Sequence, residues 1–231
     1  MRRELRVYEP GDRAKGLLTM ERAQRKVCVI GLDCASPQLI FHQFKDRLPA
    51  FRKIMEQGEY APMRSIHPPI TIPAWMSMCS GQDAGQMGIY GFRSRTGNSY
   101  IDFDISSSRA FRHVPKLWDK LRQHGKKSIL VGIPPSYPVY PVEGWLISGF
   151  LCPDSSREFT YPKELKEEIR RLIGEYRFDV SFRTHDRDRI IESVWEMTEK
   201  RFDVIEYLLT RKPWDFCMSV EIGLDRVHHA F

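Results

Sequence analysis

The chain has no apolar run near the ~20 residues that a bilayer-spanning helix requires. Its first twenty-five residues alternate charge and lack the apolar centre of a secretory signal. No CxxC pair occurs, and the five cysteines, at positions 28, 34, 79, 152 and 217, leave an odd one. A disulfide framework is therefore not expected; reduced, buried thiols in a cytoplasmic protein are. Internal repeats and low-complexity tracts are absent, as is a basic groove interleaved with aromatics, so neither nucleic acid nor membrane is an expected partner. The net charge of +6 does not change this, because residues 1–26 carry eight Lys/Arg against four acids and so hold most of the surplus.

What remains is a globular composition, 42% hydrophobic and 12% aromatic, in 231 residues, which suits one substantial core. Residues 1–25 read as a mobile extension, with Met20 an equally good start, and residues 26–231 as one domain. KVCVIGL (26–32), KSILVGI (127–133) and WDFCMSV (214–220) are short, nearly continuous apolar runs, the pattern of strands buried on both faces. Residues 60–66 and 98–105 are further strand candidates. Helices are expected over 38–45, 50–57, 116–124, 162–173 and 189–209. In the helix over 50–57, Phe51, Ile54 and Met55 share a face; in the last, the stripe Ile191, Val194, Trp195, Thr198, Phe202, Ile205 and Leu209 reads as core. The alternation predicts a doubly wound α/β fold, a three-layer αβα sandwich around a mostly parallel sheet. Residues 134–162, rich in Pro, Tyr and Gly, read as an excursion over the sheet edge, with Tyr137, Tyr140 and Trp145 packed beneath it.

The candidate chemistry lies in three places. In residues 64–92, RSIHPPITIPAWMSMCSGQDAGQMGIYGF, Pro68, Pro69 and Pro73 hold residues 70–72 extended. Pro73 then suits the first turn of a helix over 74–80, ended by Gly81. Thr71 is thereby placed just outside a helix N-terminus, where free N–H groups and the dipole favour an anion. Its hydroxyl is a cap, a nucleophile, or both. Trp75, Met76 and Met78 read as packing behind it, and His67 as a structural histidine. Residues 81–97 read as a loop around the site, anchored by Tyr90 and Phe92, with Arg93 and Arg95 as candidate contacts for an anionic substrate. Asp33 follows the first strand, at the sheet edge where α/β proteins bind ligands; by position it is an N-cap or turn residue. Asp225 and His229, four apart, share a helix face and can hold one metal ion.

PPITIPAW followed by SG and GIYGF, VIGLDCASP near the start, and GLDRVHHAF at the end resemble, in this order, motifs of the alkaline phosphatase superfamily. The similarity is to its type I phosphodiesterase/nucleotide pyrophosphatase family, in the microbial phosphohydrolase/phosphomutase-like branch. The resemblance implies a phosphoric ester hydrolase with Thr71 as nucleophile and two divalent metal ions, Zn²⁺ first and Mn²⁺ or Mg²⁺ as alternatives. Asp33, Thr71, Asp225 and His229 would be metal ligands, with a phospho-threonine intermediate. A sulfatase is set aside, because Thr71 cannot become formylglycine; a phosphomutase would resemble the family almost as well. Two features depart from the pattern. Ala74 stands where nucleotide pyrophosphatases carry an Asn, which makes nucleotide diesters a less assured substrate. The family's Asp-His pair in a DHG motif, and a further His, have no counterpart. The resemblance is thus to an N-terminal portion. Either the chain is truncated or split, the favoured account, or a second polypeptide completes it, or it is an inactive remnant. An exposed edge left by a missing half is expected to favour self-association.

Overall fold

A computed structural model describes residues 25–95, 97 and 100–231, so the expected N-terminal extension lies, but for Arg25, outside the described residues. A five-stranded sheet has the spatial order β1 (Val27–Leu32), β7 (Phe216–Glu221), β4 (Ser128–Val131), β5 (Gly144–Ile147), β6 (Thr160–Tyr161). The first four run parallel, and β6 adds antiparallel to β5. A separate antiparallel pair joins β2 (Arg93–Arg95) to β3 (Phe103–Ile105). Among the described residues no helix is long and apolar enough to cross a membrane.

The pleat sends alternate side chains of each central strand to opposite layers. Phe216, Met218, Val220 and Leu130 meet α2 (Thr71–Ser80) and α4 (Leu117–Gln123) through Ile72, Met76 and Trp118. Cys217, Ile129 and Val131 meet α5 (Leu165–Ile173) and α6 (Arg187–Arg211) through Ile169, Val204 and Leu208. This is the three-layer αβα sandwich that the alternation of strands and helices predicts. The remaining helices are α1 (Pro49–Gln57), the short α3 (Ala84–Met87) and α7 (Gly223–Ala230).

Several expectations need correction. β4 and β7 are buried throughout, as their apolar runs predict, but β1 is an edge strand, with Val27 54% and Ile30 58% exposed. An apolar run marks a strand fit for two buried faces; it does not supply the neighbour that buries them. Residues 60–66 form no strand and are mostly exposed, since no strand there pairs with them. Residues 38–45 break into a π-helical turn and a 3₁₀ turn, and in α1 Met55 is buried while Ile54 is exposed. Of the stretch 98–105, residues 98 and 99 lie outside the described residues, 100–102 are not strand and 103–105 form β3, while the supposed excursion 134–162 supplies β5 and β6.

The core stripe of α6 is rotated from the expected one. Its buried residues are Ile190, Met197, Arg201, Val204, Ile205 and Leu208, while Ile191, Trp195 (66%) and Phe202 are exposed. The cause is Arg201, which hydropathy assigns to solvent but which the fold buries against Glu221 (2.8 Å). The opposite flank of α6 meets α5 through Tyr207 and Glu168 (2.6 Å). The exposed apolar flank therefore lies on the side away from α5, next to the residues that face the end of β7 and the start of α7, where Thr198 reaches Glu221 (3.1 Å).

Candidate active site

The parallel strands β1 and β7 end together, and the segments leaving them form the site. Leu32 pairs with Glu221, and the Asp33 N–H donates to the Glu221 carbonyl (2.9 Å). The chain after β1 turns sharply through Cys34 (φ +64°), while that after β7 enters α7, whose first turn carries Asp225. Glu221 also accepts the Gly223 N–H (2.7 Å), which fixes the start of α7.

Helix α2 brings the third component. It begins at Thr71 with Ile70 as its cap, three residues earlier than expected. Thr71 is thus in the first turn and is not the cap, and Pro73 sits where a helix has no use for an N–H. Gly81, at φ +73°, ends the helix as predicted. Trp75 is one turn on from Thr71, over Gly31 of β1, where only a residue without a Cβ fits: an added Cβ would stand 2.4 Å from the indole ring.

These elements converge on Asp33. Burial, and next the Asp225 charge, push its carboxyl above its ordinary value; hydrogen bonding from the Thr71 and Trp75 side chains and the Cys34 N–H opposes them. Asp225 is buried and accepts the Cys34 thiol at Oδ1 (3.0 Å), with His229 Nε2 3.6 Å from the same oxygen. Burial, helped by that hydrogen bond and the two carboxylates, pushes the Cys34 thiol up to about 12. At Oδ2, Asp225 meets the guanidinium of Arg226.

Asp33, Thr71, Asp225 and His229 therefore stand together. Arg93 and Arg95 do not: they lie on β2 in the separate hairpin, where Arg95 stacks on Tyr100 (4.6 Å). The hairpin approaches the site through Phe92, 6.1 Å from the Phe150 ring, which in turn lies 5.2 Å from Arg226. Tyr90 and Met78 are exposed, so the loop is anchored by buried Met87 and Ile89 instead. Tyr137, Tyr140 and Trp145 pack against the core as expected. His67 is exposed. Sequence reasoning missed Cys34, Arg226 and the hydrogen-bonding role of Trp75, although all three lie inside the quoted motifs, and it missed Asp179, the partner of Arg226 (2.5 and 2.8 Å).

The donor set suits a cation in charge and chemistry. Two carboxylates, Asp225 buried and Asp33 half-buried, share one edge, with an imidazole and a hydroxyl beside them, and Asp33 carries the cost of its burial and of their repulsion. In number the set is short: among the described residues no group of three or more His, Cys, Asp or Glu is arranged to hold a metal ion. The residues fit as part of a shell.

A search of curated proteins and one of solved structures each find no significant match. The family model for type I phosphodiesterase / nucleotide pyrophosphatase matches residues 27–231, nearly the whole chain, a span within which the four converging residues lie. The family is generally metal-dependent and its activity is hydrolysis of phosphoric esters. This chain belongs to the type I phosphodiesterase/nucleotide pyrophosphatase family.

Proposed function

We propose that the chain acts on a phosphate ester with Thr71 as nucleophile, and that Asp33, Thr71, Asp225 and His229 are donors to divalent cations. The observation that supports this is the convergence of those four on one sheet edge, from three segments far apart in sequence. Asp33 accepts from the Thr71 hydroxyl and so aims its oxygen. The oxygen loses its proton to solvent and attacks phosphorus, the ester oxygen leaves with its electron pair and takes a proton from water, and the phosphoryl group rests on Thr71 until water attacks phosphorus and Thr71 leaves as the hydroxyl. A bound divalent cation, with Zn²⁺ suited to carboxylate and imidazole donors, supplies the lowered hydroxyl pKa and stabilises charge developing on oxygen. Arg93 and Arg95 are proposed for the anionic end of the substrate, supported by the route from Phe92 through Phe150 toward Arg226. All five thiols are free, which supports a reducing, cytoplasmic setting, although only Cys79, Cys152 and Cys217 are buried as expected and Cys28 and Cys34, on and just after the edge strand, are exposed.

The short donor count supports a second part of the proposal. The remaining donors come from a polypeptide segment that adds to the edge of β1, which no strand covers among the described residues, because a parallel strand there would end beside Asp33. A phosphomutase stays compatible with the same groups. The test is turnover of p-nitrophenyl phosphate and bis(p-nitrophenyl) phosphate with Zn²⁺ or Mn²⁺, for the parent and Thr71→Ala. Thr71→Ala is expected to remove turnover by a factor of about 10³ or more, as loss of a nucleophile does. Equal turnover in both would overturn the assignment, and a parent that binds no cation and turns nothing over would favour an inactive remnant.

A further inference from the structure

Arg226 follows Asp225 on α7 and is buried. Its guanidinium meets two carboxylates at once. Asp179 accepts from Nε (2.5 Å) and Nη2 (2.8 Å), a bidentate fork, while Nη1 donates to Asp225 Oδ2. The rings of Phe182 and Phe150 lie 4.7 and 5.2 Å from the guanidinium carbon. The fork sets the plane of the guanidinium and the rings restrict its movement out of that plane. Phe182 also packs against the His229 ring (5.3 Å), so one side chain touches both neighbours of Asp225.

The consequence falls on Asp225. With Oδ2 engaged by Arg226, Oδ1 is the oxygen turned toward Cys34 and His229. A carboxylate restrained in this way presents one oxygen, and it does so before any ligand arrives, as a preorganised donor must.

We propose that Asp179 is a positioning residue: acting through Arg226, it fixes the Asp225 carboxylate so that Oδ1 alone is offered to the site. This rests on the reading of Asp225 as a cation donor, and deepens it. Asp179 touches none of the reacting atoms; it comes from the loop between α5 and α6, and its effect passes through one guanidinium.

The test is a double-mutant cycle with a readout that needs neither metal nor turnover. Cys34 gives its thiol hydrogen to Asp225 Oδ1, so its alkylation rate by iodoacetamide, followed by peptide mass spectrometry, reports whether that oxygen is held in place. Asp179→Asn is expected to speed Cys34 alkylation roughly tenfold, the weight of one hydrogen bond to a charged acceptor, because the thiol is freed from the oxygen that holds it. In an Arg226→Met background the same substitution should change the rate less than about twofold, since the intermediary is gone. Phe182→Leu, which loosens the guanidinium without altering charge, should act in the same direction and with the same dependence on Arg226; it serves if Asp179→Asn does not fold. An unchanged rate in Asp179→Asn, or an equal acceleration in both backgrounds, would overturn the proposal. Titration with Mn²⁺ alone separates the two levels: binding by the parent that Asp225→Asn abolishes supports the cation reading, binding that survives Asp225→Asn refutes it, and the alkylation cycle decides the clamp in either case.

Discussion

The pair Arg201–Glu221 ties the stability of the fold to the site, and its two halves should fail unequally. Their side chains are 3% and 8% exposed and 2.8 Å apart. Removing one member of such a pair costs about 3–5 kcal/mol, because the other is left buried and charged. Glu221→Leu strands a guanidinium that cannot give up its proton. What remains to it are the Arg177 and Phe178 carbonyls, at 3.4 and 3.2 Å. Arg201→Met leaves a carboxylate that keeps donors from Thr198 (3.1 Å) and Gly223 (2.7 Å), and that can protonate. We therefore expect Glu221→Leu near the upper end, about 5 kcal/mol, and Arg201→Met near the lower, about 3 kcal/mol. The double variant, with two apolar side chains filling the same space, should return to within ~1 kcal/mol of the parent. Urea unfolding at pH 7 measures all three. The reasoning is refuted if Glu221→Leu lies within ~1 kcal/mol of the parent, or if the double variant loses the sum of the single losses.

Asp33→Asn should be more stable than the parent at pH 7. The carboxyl of the folded chain titrates above its ordinary value of 3.8, so its contribution to stability is complete below that value and is lost as pH rises through the folded one. The gap between Asp33→Asn and the parent should thus close as pH falls toward 3.8 in thermal unfolding; an Asn variant less stable than the parent at pH 7 would contradict this. Gly31→Ala places a Cβ 2.4 Å from the Trp75 ring and 3.2 Å from the Ser219 carbonyl. It should cost ~1–3 kcal/mol and shift the part of the fluorescence that Trp75→Phe removes, and an unshifted spectrum would count against the packing. In isolation the chain should self-associate through the edge of β1 and the flank of α6, as identical copies. Ile30→Lys with Trp195→Glu should convert it to monomer in sedimentation velocity, and a parent already monomeric would end that idea.

Much of the frame was legible because buried strands announce themselves. SILV of β4 and FCMSVE of β7 have partners on both sides and helices on both faces. VCVIGL of β1 reads the same, yet stands at an edge, since the difference lies in what is beside it and not in the run itself. The face of α6 was misread for a related reason. A hydropathy stripe excludes arginine, and here Arg201 points inward to a carboxylate twenty residues on. At the site, the four converging residues came from three motifs and their order, and the fold brings them together. Arg226 and Cys34 are neighbours of those residues in sequence, so a polar residue flanking a motif Asp was the available signal. Asp179 gave none: its partner is 47 residues away, and nothing in FDVSF marks an acid that will hold a guanidinium.

The charges at this edge explain why the chain spends so many groups on orientation. Asp33, Asp225 and Asp179 supply three negative charges and Arg226 one positive, which leaves two uncompensated. An edge built for stability alone would carry a second guanidinium or no carboxylates at all, because buried like charges cost free energy that apolar packing does not. Instead Arg226 is spent on the far oxygen of Asp225 and is itself held by Asp179, so that the near oxygen stays unneutralised beside Asp33. On the cation reading proposed above, that residual charge of two would be met by one divalent cation. The strain on Asp33 is then the folded chain's cost of keeping that place ready, and binding a cation would return it as affinity.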